Sequence, residues 1–240
     1  MKTYSRSAFT LIELLAVIAI IGILSGMLYP AIGHIMENAR RTTAANNLHQ
    51  ISIAANAYMR SGPTAKTIRA NSVHDWALLL STNTGLNDAA LYILNEDPLV
   101  IAQNRETPGQ IAFTDSNGQT TINSSFANMP ISFAVVSNIA PNAPVSTTPI
   151  AWTRGLQASG YWAAEDATCP GVYGNRGGHI VFLDGHVEYY ENLLGEDGSG
   201  RLVNYYTKQP TVNIEEALNT GAAILDVDSS FGAPVSDPEP

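Results

Sequence analysis

Apolar residues follow three regimes along the chain. From Phe9 to about Ile32 they form an almost unbroken run, interrupted by Thr10, Glu13, Ser25 and a few glycines. Roughly 20 such residues are enough to cross the hydrocarbon core of a bilayer as a helix. From Ile32 they thin into a stripe, Ile32, Ile35, Met36, Ala39, Leu48, Ile51, Ala55, Tyr58 and Met59, at three- and four-residue spacings. Glu37, Arg40, Arg41, Asn46, Asn47, Gln50 and Arg60 fall opposite, which is the pattern of an amphipathic helix. A single helix from Phe9 to about Arg60 would be on the order of 75 Å long at ~1.5 Å per residue. Pro30, with Gly22 and Gly26 upstream, is expected to kink or loosen it. From Gln110 onward the period shortens to runs bounded by turn residues: "QIAFTD", "ISFAVVS", "PIAWTRG", "HIVFLDGHVEYY" and "RLVNYYT".

Between these regimes "RSGPTAK" ends the long helix at Gly62 and Pro63. "NSVHDWALLLSTNTG" predicts a short helix with Ser72 as N-cap, Asp75 three residues on as a capping-box analogue, and Gly85 past its end. "LNDAALYIL" adds a turn or two, and "VNIEEALNTGAAIL" reads as a late helix. Asp184-Gly185 between hydrophobic runs predicts a two-residue type I′ hairpin turn. Pairing Leu183 with His186 would put Ile180, Phe182, Val187 and Tyr189 on one face, and His179, Val181, Leu183, His186, Glu188 and Tyr190 on the other. An antiparallel sheet packed on the second half of the long helix buries both apolar faces, so the expected class is α+β.

Composition sharpens this picture. With 240 residues, 45% hydrophobic and 14% charged, the chain can form one membrane helix plus a modest globular domain. A net charge of −9, with no Lys or Arg after Lys208, lacks a nucleic-acid footprint. One cysteine, Cys169, excludes an intramolecular disulfide and a Cys-rich metal site. Lys2 and Arg6 before the apolar run place the amino terminus in the cytoplasm and the chain beyond the helix across the membrane. "SGMLYPAI" is a poor signal-peptidase site; the small residue stands before the run, at Ala8.

"AFTLIELLAVIAIIGIL" resembles the cleavage and methylation motif of type IV prepilins and type II secretion pseudopilins: a short basic leader, a small residue, then Phe9, Thr10, Leu11, Ile12 and Glu13 before an apolar helix. The resemblance implies a pilin-like fold, cleavage by a membrane peptidase between Ala8 and Phe9, and methylation of the new amine on Phe9. Ala8 stands where the family usually has glycine. Cleavage would create a cation about one helical turn from Glu13. A carboxylate deep in lipid costs about 2.5–3.5 kcal/mol, so it is normally paired or functional. In the family the acid is thought to meet a neighbouring subunit's amine and set the axial register. The implied division is a leader over 1–8, a membrane and filament-core segment over 9–32, a periplasmic amphipathic segment over 33–60, a globular domain over 63–225 and an acidic, Pro-rich tail over 226–240. The implied function is a structural subunit of a secretion pseudopilus or a pilus-like filament, the alternative being a surface pilin in adhesion. Its partners would be copies of itself, other pilins, prepilin peptidase, an inner-membrane assembly platform and, before assembly, the bilayer. No nucleic acid is expected.

The hairpin also resembles the "DG" motif near the C-terminus of many pilin-like proteins: Gly177, Gly178, Phe182, Asp184, Gly185, His186 and Val187 fit, while Gly174 stands where the family has histidine. No catalytic role is carried over. Because major pseudopilins carry a calcium site in a C-terminal loop, "ENLLGEDGSG" offers Glu196, Asp197 and Ser199 as oxygen ligands. His179, His186 and Glu188 read more simply as polar positions on the outer face of a hairpin than as a metal site. His34, His49 and His74 read as packing or surface residues, and Trp76, Trp152 and Trp162 as core or interface aromatics. No G-x-S-x-G, P-loop, H-E-x-x-H or G-x-G-x-x-G motif is present, so no enzyme is expected.

Overall fold

The computed structural model describes residues 11–227, except the side chains of 27–31 and 34. The leader and Phe9, and residues 228–240 of the expected tail, lie outside them. The chain divides into two compact units, Met1–Thr43 and Ala44–Pro240. Helix α1 (Leu11–Met59) contributes to both, and its helical backbone continues through Pro30.

In the second unit, α1 buries Ala44, Leu48, Ile51 and Ala55, at the three- and four-residue spacing that places them on one face. Burying a side chain the size of Leu48 or Ile51 contributes about 1.5–3 kcal/mol. The stripe read from the sequence is therefore covered only from Ala44 onward. Ile32, Ile35 and Met36 stay exposed, because among the described residues of the first unit there is no element besides α1 to pack on them. Asn47, expected on the polar face, is buried, and its Nδ2 donates to the Ala90 carbonyl (3.3 Å).

Helix α2 (Val73–Thr84) has its expected ends: the Ser72 hydroxyl accepts from the Asp75 amide (3.0 Å), and Gly85 is left-handed at φ 78°. Its buried face is Val73, Trp76, Ala77, Leu80 and Ser81, and the Trp76 indole donates to the Val136 carbonyl (3.2 Å). Two short helices had no apolar periodicity to announce them. They are α3 (Pro98–Gln103), capped by Asp97 with Pro98 in its first turn, and α4 (Ser124–Ala127), capped by Asn123.

The strands are β1 (Ala112–Thr114), β2 (Thr120–Ile122), β3 (Phe133–Ser137), β4 (Pro149–Thr153), β5 (Gly178–Phe182), β6 (Val187–Tyr190), β7 (Leu202–Val203), β8 (Pro210–Thr211) and β9 (Ala223–Leu225). Five form one antiparallel sheet in the order β6-β5-β4-β3-β9; β1-β2 and β7-β8 are separate pairs. Every residue of β3, β4 and β5 is buried, so these strands read as continuous apolar runs rather than alternating ones. The expected late helix is a 3-10 turn (Ile214–Ala217), and "AIL" becomes the edge strand β9, which pairs with β3.

The hairpin corrects a further expectation. Val181 pairs with Val187 and Ile180 with Glu188, and the Phe182 amide donates to the His186 carbonyl (3.0 Å). The loop is thus three residues, Leu183-Asp184-Gly185, with Gly185 alone at positive φ (93°) where a type I′ turn would need two such residues. The one-residue shift reverses the faces of β6 relative to β5. His186 stacks on Phe182 (4.3 Å, 8°), and His179 meets Tyr189 edge-on (5.0 Å).

Candidate functional site

Two regions hold the candidate residues. In the first, α1 opens with Glu13 in its first turn, where the helix dipole favours an acid. Every side chain from Leu11 to Gly26 is exposed, Leu11 at 81% and Leu24 at 62%. Ten large aliphatic residues therefore face outward on all sides of the helix, where a helix stable in water has a polar face. Among the described residues Gly22 and Gly26 meet nothing: a Cβ built on either has no neighbour within 4 Å. No packing contact among those residues requires a glycine at either position, although each glycine costs a helix about 1 kcal/mol relative to alanine. They form a G-x-x-x-G pair in an apolar helix, a spacing that lets a second helix approach closely; the sequence carries that signal, which the kink reading of the same glycines missed. Among the described residues no helix is long and apolar enough to cross a membrane. Residues 11–26 span about 24 Å at ~1.5 Å per residue, against about 30 Å for a bilayer core.

The second region is the hairpin and the residues it touches. Its tip is fastened to the covered part of α1: His49 Nδ1 lies 2.8 Å from the Gly185 carbonyl, and Asn56 Nδ2 donates to that of Leu183 (2.7 Å). The Asp184 carboxylate accepts from the His186 amide (3.1 Å) and pairs with its ring. Asp184, Gly185 and His186 are therefore together at the tip. Gly177 and Gly178 lie at the other end of β5 and are required by close packing. A Cβ on Gly177 would stand 2.2 Å from the Tyr190 carbonyl oxygen, and one on Gly178 2.1 Å from Thr153 Oγ1. Gly174 is left-handed (φ 59°) beside Glu165. His179, expected on an outer face, is 5% exposed between Tyr173 and Tyr189, on the strand face opposite to His186. The structure does not bring His179, His186 and Glu188 together.

Among the described residues no group of three or more His, Cys, Asp or Glu could hold a metal ion. In the Glu196–Ser199 loop, Asp197 Oδ1 accepts from the Ser199 amide (3.0 Å) and hydroxyl (2.6 Å), which holds its carboxyl below the usual carboxylate range. That oxygen is committed to its own turn, whereas calcium takes six to eight oxygens.

The most deeply buried charges were not visible in the sequence. Arg154 and Asp97 are both fully buried and form a two-pronged pair: Nη1 donates to Oδ2 (2.7 Å) and Nη2 to Oδ1 (2.5 Å). Ser132 also donates to Asp97 (2.7 Å), and the remaining guanidinium hydrogens go to the Ile131 and Pro170 carbonyls. Burial works against the charge on Arg154, and Asp97 more than offsets it, so its pKa lies above the ordinary value. The pair ties the cap of α3 to the residue that follows β4 and has no access to solvent, which makes it structural.

No curated protein and no solved structure is significantly similar to this chain. One family model matches, the prokaryotic N-terminal methylation motif, over residues 4–29. The motif implies processing by prepilin peptidase, assembly with other pilin-type subunits, a membrane-associated precursor and a surface or periplasmic filament; proteins that carry it are generally non-enzymatic. The chain thus bears, ahead of its α+β domain, the hallmark of the type IV pilin and pseudopilin substrates of prepilin peptidase.

Proposed function

We propose that the chain is a structural subunit of a type II secretion pseudopilus or a type IV pilus-like filament, cut between Ala8 and Phe9, methylated on Phe9 and assembled through α1. The observation that supports this best is the coincidence of the methylation motif with a helix start that is apolar and exposed on every side. Such a surface persists only where something covers it. Lipid covers it in the precursor, a single-pass protein of the inner membrane with its globular domain in the periplasm. Other copies cover it in the filament, where Gly22 and Gly26 admit a close neighbour.

Glu13 then has a purpose. In lipid its charge is costly, and the methylated amine of Phe9, its own or a neighbour's, neutralises it. The need for that pair gives assembling helices one axial register. The prepilin peptidase and an inner-membrane assembly platform are the partners this requires. Mass spectrometry of the protein from its native membrane tests the processing step: a mature terminus at Phe9 with one added methyl group is expected, and an intact Met1 terminus overturns it. Glu13→Leu tests the register. It should insert normally yet reduce filament incorporation by about 100-fold or more, the size of a lost ~3 kcal/mol interaction; wild-type incorporation would count against the pair.

A further inference from the structure

Two features at opposite ends of the β5-β6 hairpin complement each other. At the tip end is a hollow of about 110 Å³. Met59, Ala143, Val145 and Leu183 give it an apolar lining, and Arg60 and Lys66 stand beside them. The volume is several times the ~30 Å³ share of a water molecule, so it admits a side chain. Arg60 and Lys66 are exposed, and neither makes an ion pair among the described residues. They belong to a stretch between Glu37 and Asp75 that holds five cations, Arg40, Arg41, Arg60, Lys66 and Arg69, and no acid.

At the base end, past Tyr190, the chain presents the reverse. Leu194 is 40% exposed and flanked by Glu191, Glu196 and Asp197, all exposed. The turn that carries it is held in shape: the Leu194 amide donates to Asn192 Oδ1 (2.9 Å), its carbonyl accepts from Arg201 Nε (3.2 Å), and Asp197 closes the loop on Ser199. Arg201 is the cation of this turn, and the three acids outnumber it. Between Gly178, paired with Tyr190, and Leu183 run about 17 Å of strand at ~3.4 Å per residue. A chain therefore cannot seat its own Leu194 in its own hollow.

We propose that Leu194, with Glu191 and Glu196 beside it, docks into the hollow beside Arg60 and Lys66 on a second copy of this chain. The contact rests on the filament reading and adds an interface beyond the exposed start of α1. An apolar knob that fits a hollow on a different part of the same molecule makes a head-to-tail contact, which propagates as an open array when the rotation does not close. The opposite charges decide which end meets which, and two like ends repel.

Cross-linking tests it in the full-length chain, in cells that assemble the filament. In a Cys169→Ser background, which removes the natural thiol, Val145→Cys and Leu194→Cys are introduced together and a mild oxidant is added. A ladder of dimers, trimers and longer species is expected, with neither single-cysteine chain forming one. Dimers from Leu194→Cys alone would overturn the proposal by showing a two-fold contact, and so would monomers from the double variant where the chain still forms filaments. Charge reversal gives an independent readout. Arg60→Glu with Lys66→Glu, or Glu191→Lys with Glu196→Lys, should each lower filament yield about tenfold, and all four together should restore it to within about twofold. Wild-type yield from either reversed pair, or no recovery in the fourfold variant, would overturn the contact alone. Absence of filaments from the unmodified chain would instead overturn the filament reading, and the contact with it.

Discussion

Residues 11–26 and the central strands β3, β4 and β5 are both apolar, yet the first are exposed at every position and the second buried at every position. The backbone accounts for the difference. A strand leaves its N–H and C=O groups to its neighbours, so an apolar strand is stable only inside a finished sheet. A helix satisfies its own backbone and needs only a cover for its side chains, which lipid or another helix provides equally well. One region completes itself on folding. The other is finished by whatever surrounds it.

The largest effect is expected on the self-completed side. Asp97→Ala leaves Arg154 buried without its partner, which should cost about 3–5 kcal/mol. At ~2–4 °C per kcal/mol for a domain of this size, calorimetry should see Tm fall by about 10 °C. Glu13→Leu, whose proposed effect is on assembly, should leave the same melting transition in place. A fall in Tm with Glu13→Leu would erase the contrast between the two regions. Next comes Gly178→Ala, whose new methyl would overlap Thr153 Oγ1 and the Trp162 indole. Overpacking of this kind costs about 1–3 kcal/mol, read as a lower urea midpoint with an unchanged slope. The smallest effect concerns pH. Burial holds the His74 imidazole below its ordinary 6.5, against the pull of its contact with the Met129 carbonyl. As pH falls the unfolded chain takes up that proton first, so its contribution is fully present above about 6.5 and lost below it. His74→Gln should flatten stability between pH 7.5 and 5.5; an unaltered profile would assign the slope to other groups.

The long helix, the capped α2 and the main runs of the central sheet were legible because each depends on near neighbours in the chain: spacing, caps and turn residues. The features that were not legible depend on distance. Asp97 and Arg154 lie 57 residues apart and carry no local sign that they meet. The burial of Asn47 and the exposure of Ile32, Ile35 and Met36 reflect where the sheet domain begins to cover α1, and a helical period is the same on either side of that point. The hairpin sits between these cases. Asp-Gly marks a turn correctly, but the pair serves a two-residue loop and a three-residue loop with a left-handed glycine alike. The packing of Phe182 on His186 goes with the second. In the candidate site, the apolar helix start and Glu13 were plain, as was the grouping of Asp184, Gly185 and His186. Their attachment to α1 through His49 and Asn56 was not, since it runs through backbone carbonyls, which leave no trace in residue type.

The three-residue tip decides which residues of β6 face the interior. If the chain closed instead on the tighter turn the letters advertise, with Leu183 opposite His186, β6 would slip by one position and present its alternate residues inward. Glu188 would be carried toward greasy surroundings and Val187 turned out to water, while the carbonyls that hold α1 would be displaced. In a lineage of such chains, substitutions that spare the left-handed glycine at this tip should accumulate far more readily than ones that favour the shorter loop.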